Sequence, residues 1–397
     1  MTTPPTSRTT PDSGSRTPNA LERALFGRPV SALPALAPGL LLAAAVVAVS
    51  VLLADVVNAS LGYKGLLSYI MTAIVVGLVV GNTVPMPAAV GPGVSFCLAK
   101  VLRLGIIMMG IRLSLFDAAR IGAWGIPIVL TCILTGLVLT TFFTRMLKLS
   151  DRLGTLMAVG TSICGASAIV ATAPAIEAED EEVAYAVANI TVFGIAAMLI
   201  YPYLAHALFS GNVVMAGLFQ GTAIHETAQV TGSALIYDQT FGVSQKPSAA
   251  DVAIVIKLVR NAFMAVVIPV MAYIYARRQA GRDGGAASVS ARKLFPMFIL
   301  AFVGMATVRS MGDAGPRGGG LAFGVWPKAE WSAAVAWIGN AAGYVLAMAM
   351  AGVGLGTRLK TLKGLGITPF YVGLFASVVV GVASAVAVFL LGGLIAF

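Results

Sequence analysis

Chemistry in this chain has few carriers. Two histidines occur in 397 residues, and one of them, His225, adjoins Glu226 inside the apolar run Gly221-Thr222-Ala223-Ile224-His225-Glu226-Thr227-Ala228-Gln229. An acid at the centre of a membrane helix costs about 2–3 kcal/mol or more, so such a residue marks either an internal hydrogen-bonded pair or a site. His225-Glu226 is not a zincin motif, because Gln229 stands where the second histidine would have to be. Further along, Lys257, Arg260 and Asn261 follow at i, i+3 and i+4, a spacing that places them on one helical face. Lys257 has the alternative of snorkelling to an interface. Arg260 falls near the middle of its span and needs an anion: Glu226 from within the chain, or an oxyanion that fits its planar fork.

A third constellation is Gly160-Thr161-Ser162-Ile163-Cys164-Gly165-Ala166-Ser167. Small and hydroxyl residues serve close helix packing in membranes. They also suit a helix break, where hydroxyls and free backbone N–H groups meet an anion at the positive end of a half-helix. Pro174 interrupts the same stretch. The residues expected to bind substrate are therefore Thr161, Ser162, Ser167, His225, Glu226, Gln229, Lys257, Arg260 and Asn261.

The elements that must position these residues are long apolar helices. Hydrophobic residues make up 58% of the chain and charged residues 11%, about half the charged fraction of a soluble domain. Mean hydropathy is +0.91. A soluble enzyme, a disordered chain and a disulfide scaffold are excluded, and runs of roughly 20 apolar residues argue for helices rather than a barrel. The fold class expected is an all-α polytopic membrane protein with about eleven spans: 37–57, 65–84, 97–116, 122–144, 153–176, 183–207, 212–236, 251–276, 293–311, 331–355 and 368–396. Residues 1–33, rich in Thr, Pro, Ser and Arg, read as a disordered cytoplasmic tail. Residues 34–397 form the transmembrane domain.

The net charge of +10 does not point to nucleic acid, because the basic residues cluster in short loops. Threading with the N-terminus inside puts Arg145, Lys148, Arg152, Arg277, Arg278, Arg282, Arg292, Lys293, Arg358, Lys360 and Lys363 in the cytoplasm. It puts the acidic run Glu177–Glu182 and the C-terminus outside. Cys97, Cys132 and Cys164 lack paired spacing, so no disulfide framework or zinc site is expected, and no cofactor.

Met108–Pro127 aligns without a gap to Met350–Pro369, matching Gly110 to Gly352, Leu113 to Leu355, Gly122 to Gly364 and Pro127 to Pro369. An odd number of spans separates the copies, which makes the repeat inverted, a pattern common in secondary transporters. The Gly-Thr-x-Ile runs at 160 and 221 resist this scheme. Simple threading gives them the same direction, so either a segment is re-entrant or their likeness is accidental.

GTSICGASAI (160–169), EDEEVAYAVANITVFG (179–194), GTAIHETAQV (221–230) and VIKLVRNAFMA (255–265) together resemble the YeiH-like sulfate exporter family of bacterial inner-membrane proteins. The resemblance covers roughly residues 35–397 and does not reach the tail. It implies kinship with bile acid symporters and cation/proton antiporters, with inverted repeats and broken, crossing helices. The expectation is a secondary transporter of a small oxyanion, with sulfate export as the first choice and protons as a coupling ion. Its partners would be that oxyanion, the lipid bilayer, a coupling proton or cation and, as an open alternative, a second copy of the chain. The rivals are a cation/proton antiporter using Glu226, a membrane-embedded enzyme using Cys164 or Ser162 with His225 as base, and a passive channel.

Overall fold

In lipid every backbone N–H and C=O must be satisfied within the protein, and a chain this apolar satisfies them as helices. The computed structural model describes residues 22, 28–62, 67–279, 296–358 and 367–394. The described residues are almost wholly helical; their β-structure is an isolated bridge between Ala322 and Trp326. The elements are α1 (Ala37–Leu61), α2 (Tyr69–Thr83), α3 (Ala88–Arg112), α4 (Leu115–Met146), α5 (Asp151–Ser162), α6 (Ala166–Ile176), α7 (Asp180–Leu208), α8 (Val213–Ala223), α9 (Thr227–Thr240), α10 (Ala249–Ala262), α11 (Met264–Gln279), α12 (Phe298–Arg317), α13 (Lys328–Gly356) and α14 (Ile367–Leu391). Seven stretches are long and apolar enough to cross a membrane on length and composition alone.

Contacts at the helix ends sort these elements by face. Arg152, at the start of α5, pairs with Glu179, just before α7, at 3.1 Å. Ser150 donates to Glu182 at 2.5 Å. The chain therefore enters and leaves residues 151–179 on one face, and α5 and α6 are the arms of a re-entrant hairpin. Leu153, Ile176, Val183 and Tyr275 share one apolar cluster at its base. The 12 residues of α5 reach about 18 Å, roughly halfway into a ~30 Å hydrocarbon core. A second hairpin, α8 and α9, enters from the other face. His206, near the end of α7, stacks on Phe241, just after α9, with ring centroids 3.7 Å apart. Its Nδ1 lies 3.4 Å from the Tyr237 hydroxyl of α9.

Among the described residues eleven segments thus follow the expected order: two turn back at the middle, and the seven long apolar stretches together with α2 and α12 run from one face to the other. The resistance of the two Gly-Thr-x-Ile runs disappears: both lie on re-entrant arms, and the arms point in opposite directions. Each hairpin precedes a crossing helix, so α5–α7 and α8–α11 form an inverted pair. One expectation is overturned. Because 151–176 does not cross, the acidic run at 177–182 lies on the same face as Arg145, Lys148, Arg152, Arg277, Arg278 and Arg358, where Arg152 and Ser150 hold it. That side is the basic face. The alignment at 108–127 falls on the opposite face and the described ends of its copy, 350–358 and 367–369, on the basic one, so the described parts of that repeat are inverted. The tail 1–21 and Arg282, Arg292, Lys293, Lys360 and Lys363 lie outside the described residues.

Two bundles result. α2 and α13 are the most closely joined pair, flanked by α1, α3 and α12; the hairpins pack with α4, α7, α10, α11 and α14. Close approach in the first bundle depends on missing side chains. A Cβ on Gly77 of α2 would meet the Ala351 carbonyl of α13 at 2.7 Å.

Candidate functional site

Breaking a membrane helix frees carbonyls at the C-terminal end of one arm and N–H groups at the start of the next. Here the two C-terminal ends face each other, and α10 supplies what they lack. Lys257 Nζ donates to the carbonyls of Ile163 (2.8 Å), Ile224 (3.1 Å) and His225. Arg260 donates through Nε to Ser162 O (2.9 Å), through Nη1 to Thr222 O (2.8 Å) and Ile224 O (2.9 Å), and through Nη2 to Thr161 O (2.6 Å). Six carbonyls from two hairpin tips therefore converge on two cations, both 0% exposed. Positive charge at the negative ends of helix dipoles is the stabilising arrangement.

The other two ends are arranged with the opposite sign. Glu226 is the N-cap of α9: its carboxylate accepts from the Gln229 backbone, while Gln229 Oε1 accepts from the Glu226 N–H at 3.2 Å. The start of α6 lies beside it. Gly165 takes φ +66° and ψ −129°, a conformation open essentially to glycine, and a Cβ there would sit 3.4 Å from Glu226 Cβ. Among the described residues no ion pair joins Arg260 or Lys257 to Glu226. The expected Arg260–Glu226 partnership is replaced by carbonyls on one side and a helix cap on the other.

Glu226 lies at the base of a cleft of about 1190 Å³ between the bundles. Beside it are Ser167, Thr191, Thr227 and Asn261; Asn261 Nδ2 donates to Thr227 Oγ1 at 3.0 Å, and its Oδ1 has no partner. Apolar residues of α3, α7 and α12 form the walls. Lys100, Arg103 and Arg358 also line it, and Arg358 donates to Gly81 O at 2.7 Å at the basic-face end of α2. The cleft thus leads from the hairpin tips toward the basic face.

Toward the opposite face the same tips are covered by a polar lock between the bundles. Arg112 of α3 pairs with Asp251 of α10 at 3.2 Å, and Lys246 with the other carboxylate oxygen at 3.3 Å. Ser68 donates to Gln239 at 2.7 Å, joining the start of α2 to the end of α9. Asp238 accepts from the backbone N–H groups of Ala249 and Ala250.

The nine expected site residues divide into two groups. Ser167, Glu226 and Asn261 face the cleft. Thr161, Ser162, His225, Gln229, Lys257 and Arg260 are buried behind them as the framework of the tips. His225 has both ring nitrogens engaged, Nδ1 with Thr161 O at 3.0 Å and Nε2 with Ser377 Oγ at 2.8 Å. A carbonyl only accepts, so Nδ1 carries the proton and Nε2 accepts from the serine. Gln229 Nε2 donates to Thr191 O at 3.2 Å, and Thr161 Oγ1 donates back to Met157 O. Ser162 Oγ has no partner and packs beside Gly136.

Residues outside that set matter as well. Thr227 lies within the GTAIHETAQV motif, and Lys100 and Arg103 are charges at i, i+3 in an apolar span, so their placement carried a signal. Arg112 and Asp251 are 139 positions apart with nothing in the sequence to join them.

No solved structure matches this chain. A UPF0324 membrane protein of Bacillus cereus is 32% identical over 335 residues, covering 84% of this chain and 90% of the relative. A UPF0324 membrane protein of Pseudomonas aeruginosa is 32% identical over 372 residues, covering 89% of this chain and 94% of the relative. The family described as conserved hypothetical protein 698 matches residues 38–373. The cleft, both hairpins and the lock fall inside that match, and the chain belongs to this family of UPF0324 membrane proteins, the YeiH-like group to which its motifs pointed.

Proposed function

We propose that this protein is a secondary transporter of a small oxyanion, working by alternating access, with its substrate site at the cleft base formed by Ser167, Glu226, Thr227 and Asn261. One observation carries the reading. Two re-entrant tips from opposite faces meet at a cleft that leads to one face, while an ion pair and a hydrogen bond between the bundles cover the other. That is the arrangement of a carrier held open to one side, and the inverted hairpin pair supplies the symmetry for the reverse state. The positive-inside rule makes the basic face cytoplasmic, which places the N-terminus inside and the C-terminus outside in a bacterial plasma membrane.

The substrate's charge follows from the lining. Lys100, Arg103 and Arg358 raise the local concentration of anions in the cleft. At its base the starts of α6 and α9, the Ser167 and Thr227 hydroxyls and the Asn261 amide offer donors to an oxyanion. Glu226 would repel a dianion when ionised and accept it when protonated, which is the differential affinity a proton-coupled cycle requires. Sulfate leaving the cytoplasm is the first substrate to test. Arg260 and Lys257, with four of the five guanidinium donors and all three ammonium donors given to carbonyls, shape the site rather than touch the anion. The cation/proton antiporter is the second reading, favoured by the single carboxylate at the cleft base.

The test is counterflow in proteoliposomes loaded with sulfate, sulfite, thiosulfate, phosphate or a small sulfonate, each with an inward or outward proton gradient. Saturable exchange of one oxyanion that Glu226→Gln uncouples from pH supports the proposal. Exchange of protons for Na⁺ or K⁺ with no anion flux selects the antiporter, and non-saturating conductance selects a channel.

A further inference from the structure

Lys257 occupies a place built for an ion. Its ammonium is enclosed by three main-chain carbonyls, those of Ile163, Ile224 and His225, which come from two separate helix breaks. Breaks of this kind, where unwound carbonyls and half-helix C-terminal ends converge, are where transporters coordinate an alkali-metal cation. Carbonyl oxygens replace a hydration shell for such ions, and a buried set of them with no cation would be strongly unfavourable. Arg260 takes the neighbouring carbonyls of Thr161, Ser162 and Thr222 and shares Ile224. The ammonium has three donors, and three carbonyls receive them.

We propose that Lys257 is a tethered cation filling a built-in alkali-cation site, so that the carrier holds its hairpin tips together without Na⁺ or K⁺ and takes neither as a coupling ion. A lysine differs from a free ion in one respect that matters for a cycle. It cannot leave with the substrate, so the positive charge stays with the tips in both the inward and the outward state. A free Na⁺ would bind and dissociate, linking the tips to the sodium gradient; the covalent tether removes that link. The site chemistry is unchanged, so removing the side chain should uncover a cation site. This inference concerns the framework behind the cleft and stands whichever oxyanion the cleft takes.

The experiment uses the full-length protein in detergent, with its unfolding midpoint followed in choline chloride and in equal concentrations of LiCl, NaCl, KCl and methylammonium chloride. The wild type should show the same midpoint in all five salts. Lys257→Ala should unfold earlier in choline and recover saturably with one of the alkali cations or with methylammonium, whose head group reproduces the missing one. At a hundredfold excess of cation over Kd the rise should be about 3 °C. Lys257→Gln, which keeps part of the volume but no charge, provides the same reading if the alanine variant does not fold. A saturable Na⁺- or K⁺-specific rise in the wild type would overturn the proposal. So would a folded Lys257→Ala or Lys257→Gln variant indifferent to every cation. If neither variant folds, the wild-type comparison alone decides between the two outcomes. Loss of oxyanion transport in all proteins with the cation pattern intact would refute the transport reading and leave this one standing.

Discussion

Replacing Arg260 with methionine tests whether the hairpin tips are held by α10. Arg260 gives four hydrogen bonds to carbonyls of both breaks. Two of those carbonyls have another donor. Thr161 O also receives His225 Nδ1, and Ile224 O also receives Lys257. Arg260→Met therefore leaves Ser162 O and Thr222 O without their side-chain donor. At about 1–3 kcal/mol for each buried polar group left unmade, the two tips lose about 2–6 kcal/mol. The readout is Cys164, which sits 3% exposed at the first tip. Cys164 lines the cleft but its thiol is turned onto Met264 Sδ; in a background with Cys97 and Cys132 replaced by alanine, opening of the tip should therefore speed its reaction with maleimide in step with the population of the open form. A loss of about 2 kcal/mol should speed alkylation by about 30-fold and more if the cost is larger. Arg260→Lys keeps the charge but has three donors on a compact head instead of a planar fork, so it should fall between wild type and methionine. Alkylation of Arg260→Met at the wild-type rate would refute the assignment of Arg260 to the tips. Arg260 would then be available to an anion.

Further outcomes follow from the same geometry. A cysteine placed at Glu181 should react with an impermeant maleimide from the cytoplasmic side and one at Asn212 from the outside; labelling of both from the same side would undo the hairpin topology. A C-terminal alkaline phosphatase fusion should be active, since nine crossings from a cytoplasmic N-terminus end outside. Gly165→Ala should destabilise by about 1–2 kcal/mol, read as a lower unfolding midpoint, because φ is +66° there; an unchanged midpoint would show the tip to be relaxed. His225→Gln should lower stability without flattening any pH dependence of oxyanion binding, because both ring nitrogens are bonded within the framework. Glu226→Gln should remove that pH dependence. The reverse assignment of effects would move the coupling proton to His225.

The fold class, the order of the embedded segments and the four motifs that carry the family likeness were legible in the sequence, because each rests on local properties. Twenty apolar residues in a row must be helical in lipid wherever they lie. A glycine-rich interruption must break a helix, and a charge inside a span must have a partner. The cluster of Thr161, Ser162, His225, Lys257 and Arg260 could therefore be named in advance as belonging together. Which partner each charge has was not local. Hydropathy cannot distinguish an arm of 12 residues that returns from half of a helix that crosses, because both are equally apolar. Only the pairing of Arg152 with Glu179 and of His206 with Phe241 makes that distinction, by bringing both ends of each hairpin to one face. Once both segments turned back, the acidic run changed sides and the two motifs became antiparallel. Among the described residues Arg260 and Lys257 then had six carbonyls as hydrogen-bond partners and no carboxylate in an ion pair, which favours a clamp over an anion ligand. The lock between Arg112 and Asp251 belongs to the same class. A contact between bundles has no periodicity to announce it, because tertiary packing alone sets which helix ends meet.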